Sequence, residues 1–158
     1  MRPIVMYHRF MSMKRSTVLT LFGVAILAPR PASALTDDQW RKKLSPQAYD
    51  ILRRHGTEAP FSSPLDEEKQ AGTYDCAGCG LALYSSKTKY DSGTGWPSFW
   101  APLPDAIRTS ADTMLGYTRT EVHCRRCAGH LGHVFDDGPR PTGLRYCMNG
   151  VALTFKSS

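Results

Sequence analysis

Cys76-Ala77-Gly78-Cys79-Gly80 and Cys124-Arg125-Arg126-Cys127-Ala128-Gly129 are two copies of one short pattern. Two residues between the thiols let a single turn aim both sulfurs at one ion, and nearby glycines allow the tight backbone that this requires. Four thiolates make a closed tetrahedral site for zinc with no position left for a substrate, so the ion is expected to be structural. The 44 residues between Cys79 and Cys124 exceed the spacing of a small zinc ribbon. The ion is therefore expected to clip together two separate hairpins of a larger β domain. A pair of disulfides is the competing assignment in an exported protein, but such frameworks rarely double the Cys-x-x-Cys spacing.

Outward from the knuckles, the signals are β from Gly72 onward. Tyr74, Leu81, Leu83 and Tyr84 sit in short runs between Gly-rich turns, as do Val122, Val134 and Phe135. The final stretch from Leu144 to Phe155 is the longest strand-like segment, with Gly150 marking a bulge or turn within it. Before Gly72 the chain reads differently. Thr36 or Asp37 caps a first short helix, and Ser45-Pro46 opens a second that His55-Gly56 ends. These helices are expected to be packing elements without chemistry. Residues 56–72 read as an extended arm around the domain.

Residues 1–34 are expected to be a cleaved signal peptide. Lys14-Arg15 precede an uncharged apolar run from Val18 to Ala28, and Ala32-Ser33-Ala34 forms a small-x-small cleavage site. Export to a bacterial periplasm is expected. A mitochondrial transit peptide is the alternative, because this segment carries five basic residues and no acidic one. The apolar run is too short for a permanent membrane span. Removing the segment leaves fifteen basic against fourteen acidic residues, so the domain at 35–158 is near neutral. A nucleic-acid partner is not expected, because binding phosphate backbones calls for a basic face.

One of the five cysteines, Cys147, has no Cys-x-x-Cys partner. In Arg145-Tyr146-Cys147-Met148-Asn149 strand alternation places Arg145, Cys147 and Asn149 on one side, where a cation favours the thiolate and an amide can orient a ligand. A small buried core cysteine is the plainer reading. Two further stretches weigh against it. Asp91 to Trp100 is a glycine-bent loop carrying Trp96, Phe99 and Trp100, at least one of which belongs to the core, while another can wall a pocket for a small apolar group. His130-Leu131-Gly132-His133-Val134-Phe135-Asp136-Asp137 offers two histidines suited to proton exchange near neutral pH. Asp136 or Asp137 either orients one of them or initiates the turn at Gly138-Pro139.

Gly93-Thr94-Gly95-Trp96-Pro97-Ser98-Phe99, His130-Leu131-Gly132-His133-Val134-Phe135 and Arg145-Tyr146-Cys147-Met148-Asn149, together with both knuckles, resemble methionine-R-sulfoxide reductase B, the SelR-type domain, over about Leu35 to Phe155. The resemblance implies a mainly β fold of two antiparallel sheets (a β-tent) with short N-terminal helices. It also implies one structural zinc ion held by Cys76, Cys79, Cys124 and Cys127, remote from catalysis. The implied activity is reduction of the R epimer of methionine sulfoxide in oxidised proteins, a repair reaction of oxidative stress, by a chain acting as a monomer. By the same resemblance Cys147 is the nucleophile, Trp96 packs on the substrate methyl group, and His130, His133, Arg145 and Asn149 line the polar side with Asp137 in support.

A sulfoxide oxygen leaves sulfur only once protonated, so a thiolate attack needs a nearby acid, which His130 or His133 can supply. The resulting sulfenic acid on Cys147 must then be reduced. In many relatives a second cysteine does this from two residues before the pocket tryptophan, where this chain has Thr94. With four cysteines assigned to zinc, an external thiol is expected, either a thioredoxin-like protein or a small dithiol. The competing functional reading is a non-enzymatic zinc-ribbon binding module with Cys147 in its core. Near-neutral charge and paired histidines accompanying a lone cysteine argue against it. A thiol peroxidase would leave Trp96 without a task.

Overall fold

The computed structural model describes residues 35–158, and the expected export segment lies outside the described residues. The first helix, α1 (Asp37–Lys43), begins with a capping box. Thr36 N–H donates to Gln39 Oε1 (2.9 Å), and Gln39 N–H donates back to Thr36 Oγ1 (3.3 Å). In α2 (Pro46–Arg54), proline opens the first turn, Ser45 caps it, and His55 closes it in the left-handed region at φ 59°. The α2 face carrying Ala48, Tyr49, Ile51 and Leu52 is buried.

Nine strands follow: β1 (Gly72–Cys76), β2 (Ala82–Ser85), β3 (Lys89–Tyr90), β4 (Ser98–Phe99), β5 (Ile107–Asp112), β6 (Arg119–Cys124), β7 (His130–Phe135), β8 (Arg145–Met148) and β9 (Leu153–Ser157). They form two antiparallel sheets, one in the order β2-β1-β9 and one in the order β3-β4-β8-β7-β6-β5. The core lies between them. Tyr84 of the smaller sheet stacks on Phe99 of the larger at 4.4 Å between centroids, and Tyr74 meets the same ring edge-on at 4.9 Å. Tyr84 Oη donates to Met148 Sδ at 3.2 Å, which gives a buried hydroxyl its partner. Phe99 is thus the core member of the aromatic loop.

The expected C-terminal strand is divided. β8 belongs to the six-stranded sheet and β9 to the three-stranded one, with a 3-10 turn at Gly150–Ala152 between them. Gly150 is required there, because a Cβ at that position would lie 1.9 Å from Ser63 Oγ. The turn lets the chain cross from one sheet to the other directly after Cys147.

Both knuckles are built alike. Gly80 N–H donates to Cys76 O (2.7 Å) and Ala128 N–H donates to Cys124 O (2.9 Å), each donor having a left-handed φ. Cys76 ends β1 and Cys124 ends β6, so the pairs come from different sheets. Cys76 Sγ lies 3.6 Å from Cys127 Sγ, Cys79 Sγ lies 3.6 Å from Cys124 Sγ, and the four sulfurs all lie within 4.8 Å of one another. A tetrahedral ion with bonds of about 2.3 Å holds its sulfurs roughly 3.8 Å apart, whereas a disulfide needs about 2.0 Å. The cluster fits zinc, and the disulfide assignment falls because all five cysteines are free. Leu52 belongs to the core against this cluster, and Arg53 Nη1 donates to Cys127 O at 3.0 Å, so α2 is fastened to the second knuckle.

Among the described residues no helix is long and apolar enough to cross a membrane. Removing the metal with a chelator leaves four converging thiols without a common partner at the junction of the sheets. Differential scanning calorimetry is expected to show the thermal midpoint falling by about 10 °C or more, and Cys124→Ser is expected to do the same.

Candidate active site

The register of the larger sheet brings the site together. Cys147 on β8 pairs with Ser98 on β4 and with His133 on β7. These three residues occupy adjacent rungs because the Trp96-Pro97 loop feeds β4 alongside β8, where Met148 N–H donates to Pro97 O at 3.0 Å. Beside the Cys147–His133 rung lies a cavity of about 130 Å³ bordered by Thr57, Trp96, Arg119, Gly132, His133, Phe135, Cys147 and Asn149. That volume is well under the roughly 300–1,000 Å³ of a typical small-molecule site, and it suits one side chain.

Cys147 is partly exposed, with Thr94 Oγ1 at 3.9 Å from its sulfur. The expected activation by a flanking cation is present but outweighed. Burial pushes the thiol above its ordinary value, while the Thr94 hydroxyl and the Arg145 guanidinium pull it down. Arg145 does not border the cavity. Its guanidinium is held by a two-pronged ion pair with Asp137, at 2.8 Å on each prong, and lies over the Phe135 ring at 4.4 Å. Asp137 is consequently the partner of Arg145, and neither it nor Asp136 orients a histidine.

Those partners come from β5 and β6. His133 Nε2 sits 2.7 Å from Asp112 Oδ2, the same oxygen that accepts from Arg119 Nη2 at 2.6 Å. The Met114 backbone N–H, His133 and Arg119 together hold the Asp112 carboxyl well below the usual range, so it is ionised at neutral pH. A carboxylate at Nε2 calls for the ring proton on that nitrogen, and His133 also borders the cavity. His130 is buried and does not border the cavity. Its Nδ1 donates to Glu121 Oε1 at 2.8 Å, and its ring centroid is 5.3 Å from that of His133. Burial lowers its pKa despite the Glu121 hydrogen bond, so His130 is neutral at pH 7.

Residues three apart on a regular strand point to opposite faces, yet these two imidazoles meet. The cause is a β-bulge. Val122 pairs with Gly132, but the next residue, His123, pairs with His130, leaving Leu131 extra. A Cβ on Gly132 would lie 2.1 Å from Cys147 O, so only glycine admits this approach of β7 to β8. The freed Leu131 carbonyl accepts from both the backbone N–H of Asn149 (2.8 Å) and its Nδ2 (3.1 Å).

Asn149 therefore holds the bulge as well as bordering the cavity, and its Oδ1 accepts from the Glu58 N–H at 3.0 Å. Glu58, in the expected arm, gave no sign in the sequence. Its buried carboxylate takes the N–H groups of Gly150 (2.6 Å) and Val151 (2.9 Å), and its carbonyl accepts from Trp96 Nε1 at 3.2 Å. One arm residue thereby positions the tryptophan, the asparagine and the turn that follows the cysteine. Asp112, Arg119 and Glu121 were likewise unforeseen. The only trace they left is that Arg119 and Glu121 fall on alternate positions of a run that ends at a knuckle.

Fold and site together define a β domain whose two sheets meet at a four-cysteine cluster fit for a metal, with a single thiol set beside a carboxylate-backed histidine. The SelR domain model matches residues 44–157. The chain is 52% identical over 122 residues to a peptide methionine sulfoxide reductase MsrB of Leptospira interrogans, covering 77% of this chain and 93% of that one. It is 55% identical over 122 residues to one of Pseudomonas putida strain W619 (77% and 92%) and 52% identical over 123 residues to one of Methanosarcina barkeri (77% and 87%). The chain belongs to the SelR-domain, peptide methionine sulfoxide reductase MsrB family.

Because burial outweighs both stabilising contacts, the thiolate of Cys147 forms only above the ordinary thiol range. The rate of its alkylation by iodoacetamide is expected to titrate with a midpoint above 9.0, and Arg145→Ala is expected to raise that midpoint further by removing the cation.

Proposed function

We propose that this chain reduces methionine-R-sulfoxide in proteins to methionine, with Cys147 as nucleophile. The observation that carries the reading is the placement of Cys147 on the rung beside His133, in a cavity of side-chain size that Trp96 closes on its apolar side. The names of the relatives supply the reaction class, and the site supplies its parts. Trp96 offers an apolar face to the S-methyl group. His133, oriented by Asp112, relays the proton of the Cys147 thiol to the sulfoxide oxygen and so makes that oxygen a leaving group. Cys147 sulfur attacks the substrate sulfur, the oxygen passes to Cys147, and the products are methionine and a cysteine sulfenic acid. Asn149 and Arg145 act as positioning residues. His130 is a neutral ring behind His133 and supports it without touching the substrate. Arg119 adds a cation on the cavity wall. The zinc ion, once bound, supplies rigidity and no reaction step.

Recycling calls on an outside thiol. The hydroxyl of Thr94 is the polar group facing the Cys147 sulfur at 3.9 Å, and it cannot form a disulfide. The first external thiol forms a mixed disulfide with Cys147 and releases water, and a second thiol then restores the free cysteine. A thioredoxin-like protein or a small dithiol meets this requirement. The arrangement of Lys14-Arg15, Val18–Ala28 and Ala32–Ala34 supports residues 35–158 as the working form after export.

The test is turnover of a protein carrying methionine-R-sulfoxide, with dithiothreitol as reductant. Wild type is expected to be active on the R epimer and inactive on the S epimer, and Cys147→Ser to lose roughly a thousandfold or more. Thr94→Cys is expected to trap a 94–147 disulfide after one turnover, visible as a loss of two mass units. Activity surviving in Cys147→Ser would overturn the reading.

A further inference from the structure

One cluster of ligating side chains belongs neither to the knuckles nor to the cavity wall. His55 Nδ1 and His130 Nδ1 stand 3.0 and 2.8 Å from the same carboxylate oxygen, Glu121 Oε1, and the three donor atoms lie within 4.8 Å of one another. Three separate elements deliver them. His55 is the left-handed cap of α2, Glu121 lies within β6, and His130 begins β7. The His55 and His130 rings are tilted across each other at 5.2 Å between centroids. Burial grades across the set: the side chain of His130 is 2% exposed, that of Glu121 12% and that of His55 52%. Two donors are fixed in the wall and the third stands at the opening, which leaves room for water on the solvent side.

We propose that His55, Glu121 and His130 form a second, exchangeable site for a divalent first-row transition ion such as Zn²⁺, separate from the four-thiolate cluster. Two imidazoles and a carboxylate are a donor set that suits Zn²⁺, Co²⁺, Ni²⁺ and Cu²⁺. Around an ion with bonds of about 2.0–2.1 Å, neighbouring donors sit roughly 2.9–3.4 Å apart; the 3.0 Å separation falls within that range and the 2.8 Å one just under it. The site also has an outer partner: Ser110 Oγ donates to Glu121 Oε2 at 2.9 Å, fixing the carboxylate with its other oxygen turned to the two rings. To bind, each imidazole presents a bare Nδ1 and carries its proton on Nε2. For His55 the proton arrives at a half-exposed ring. For His130 it arrives at an Nε2 that is buried and has no partner, so the site is weaker than the thiolate cluster and exchanges its ion. The proposal does not depend on the reductase reading, because none of its evidence comes from the thiol.

The experiment uses the full chain with its thiolate cluster already filled by one equivalent of Zn²⁺. Co²⁺ is then titrated and followed by calorimetry and by visible absorption. The expected result is one further equivalent with a weak ligand-field spectrum and no thiolate-to-cobalt charge transfer. His55→Ala, a change at a half-exposed position, is expected to weaken this binding by about tenfold or more while leaving the zinc content at one. The proposal is overturned if no second equivalent binds up to about 1 mM Co²⁺, or if His55→Ala binds it as tightly as wild type. A charge-transfer band assigning the second ion to Cys147 would overturn it equally.

Discussion

Four cysteine sulfurs drawn from both sheets converge within 4.8 Å of one another, and the geometry of everything else follows from where that cluster pins the chain. Cys76 fixes the end of β1 in the smaller sheet, and Cys124 and Cys127 fix the turn from β6 into β7 in the larger. The second knuckle leads into His130 after only two residues. The start of β7 is therefore set by the cysteine cluster, and the rung that joins His133 to Cys147 is set by β7 three residues further on. Four thiolates would close the coordination sphere of an ion held there, leaving it no part in the chemistry but a part in the frame in which the chemistry is placed.

A second constraint works from the opposite side. The buried carboxylate of Glu58 accepts hydrogen bonds from two N–H groups of the turn that carries the chain out of β8. Burying a carboxylate is costly unless its oxygens are satisfied, and leaving those N–H groups unpaired costs about 1–3 kcal/mol each. The arm, the turn and the Trp96 loop therefore form a mutually dependent unit around the cavity. Electrostatics inside that unit are divided. Asp112 is an ionised carboxylate behind His133, whereas Cys147 and His130 are both driven toward their neutral forms by burial. The resting site is a neutral thiol on the rung beside a carboxylate-backed histidine.

Much of this was legible in the residues. The doubled Cys-x-x-Cys spacing required a cluster joining distant hairpins, the caps at Thr36, Ser45-Pro46 and His55-Gly56 fell where the helices begin and end, and the arithmetic of five cysteines singled out Cys147. The remainder was hidden for definable reasons. Strand alternation has no means of announcing a bulge, so the meeting of His130 with His133 had no periodic signal. Whether Asp112, Glu121 or Glu58 is buried depends on which strands become neighbours, and a lone carboxylate in a polar stretch looks the same in either case. Asp136 and Asp137 are the carboxylates nearest the histidines in sequence, whereas the sheet supplies the actual partners from β5 and β6 upstream. The helix read as having no chemistry ends in His55, which meets Glu121 and His130 across the fold.

The central claim is that Cys147 sulfur takes the oxygen from the substrate and has no cysteine of its own chain to release it. Trapping measures this directly: protein-bound methionine-R-sulfoxide is presented without reductant, dimedone is added, and the modified residue is located by peptide mass spectrometry. One dimedone adduct is expected, on Cys147, formed in step with methionine and absent when the S epimer is supplied. Methionine formation accompanied by an intramolecular disulfide, or by no modification of Cys147, would contradict it.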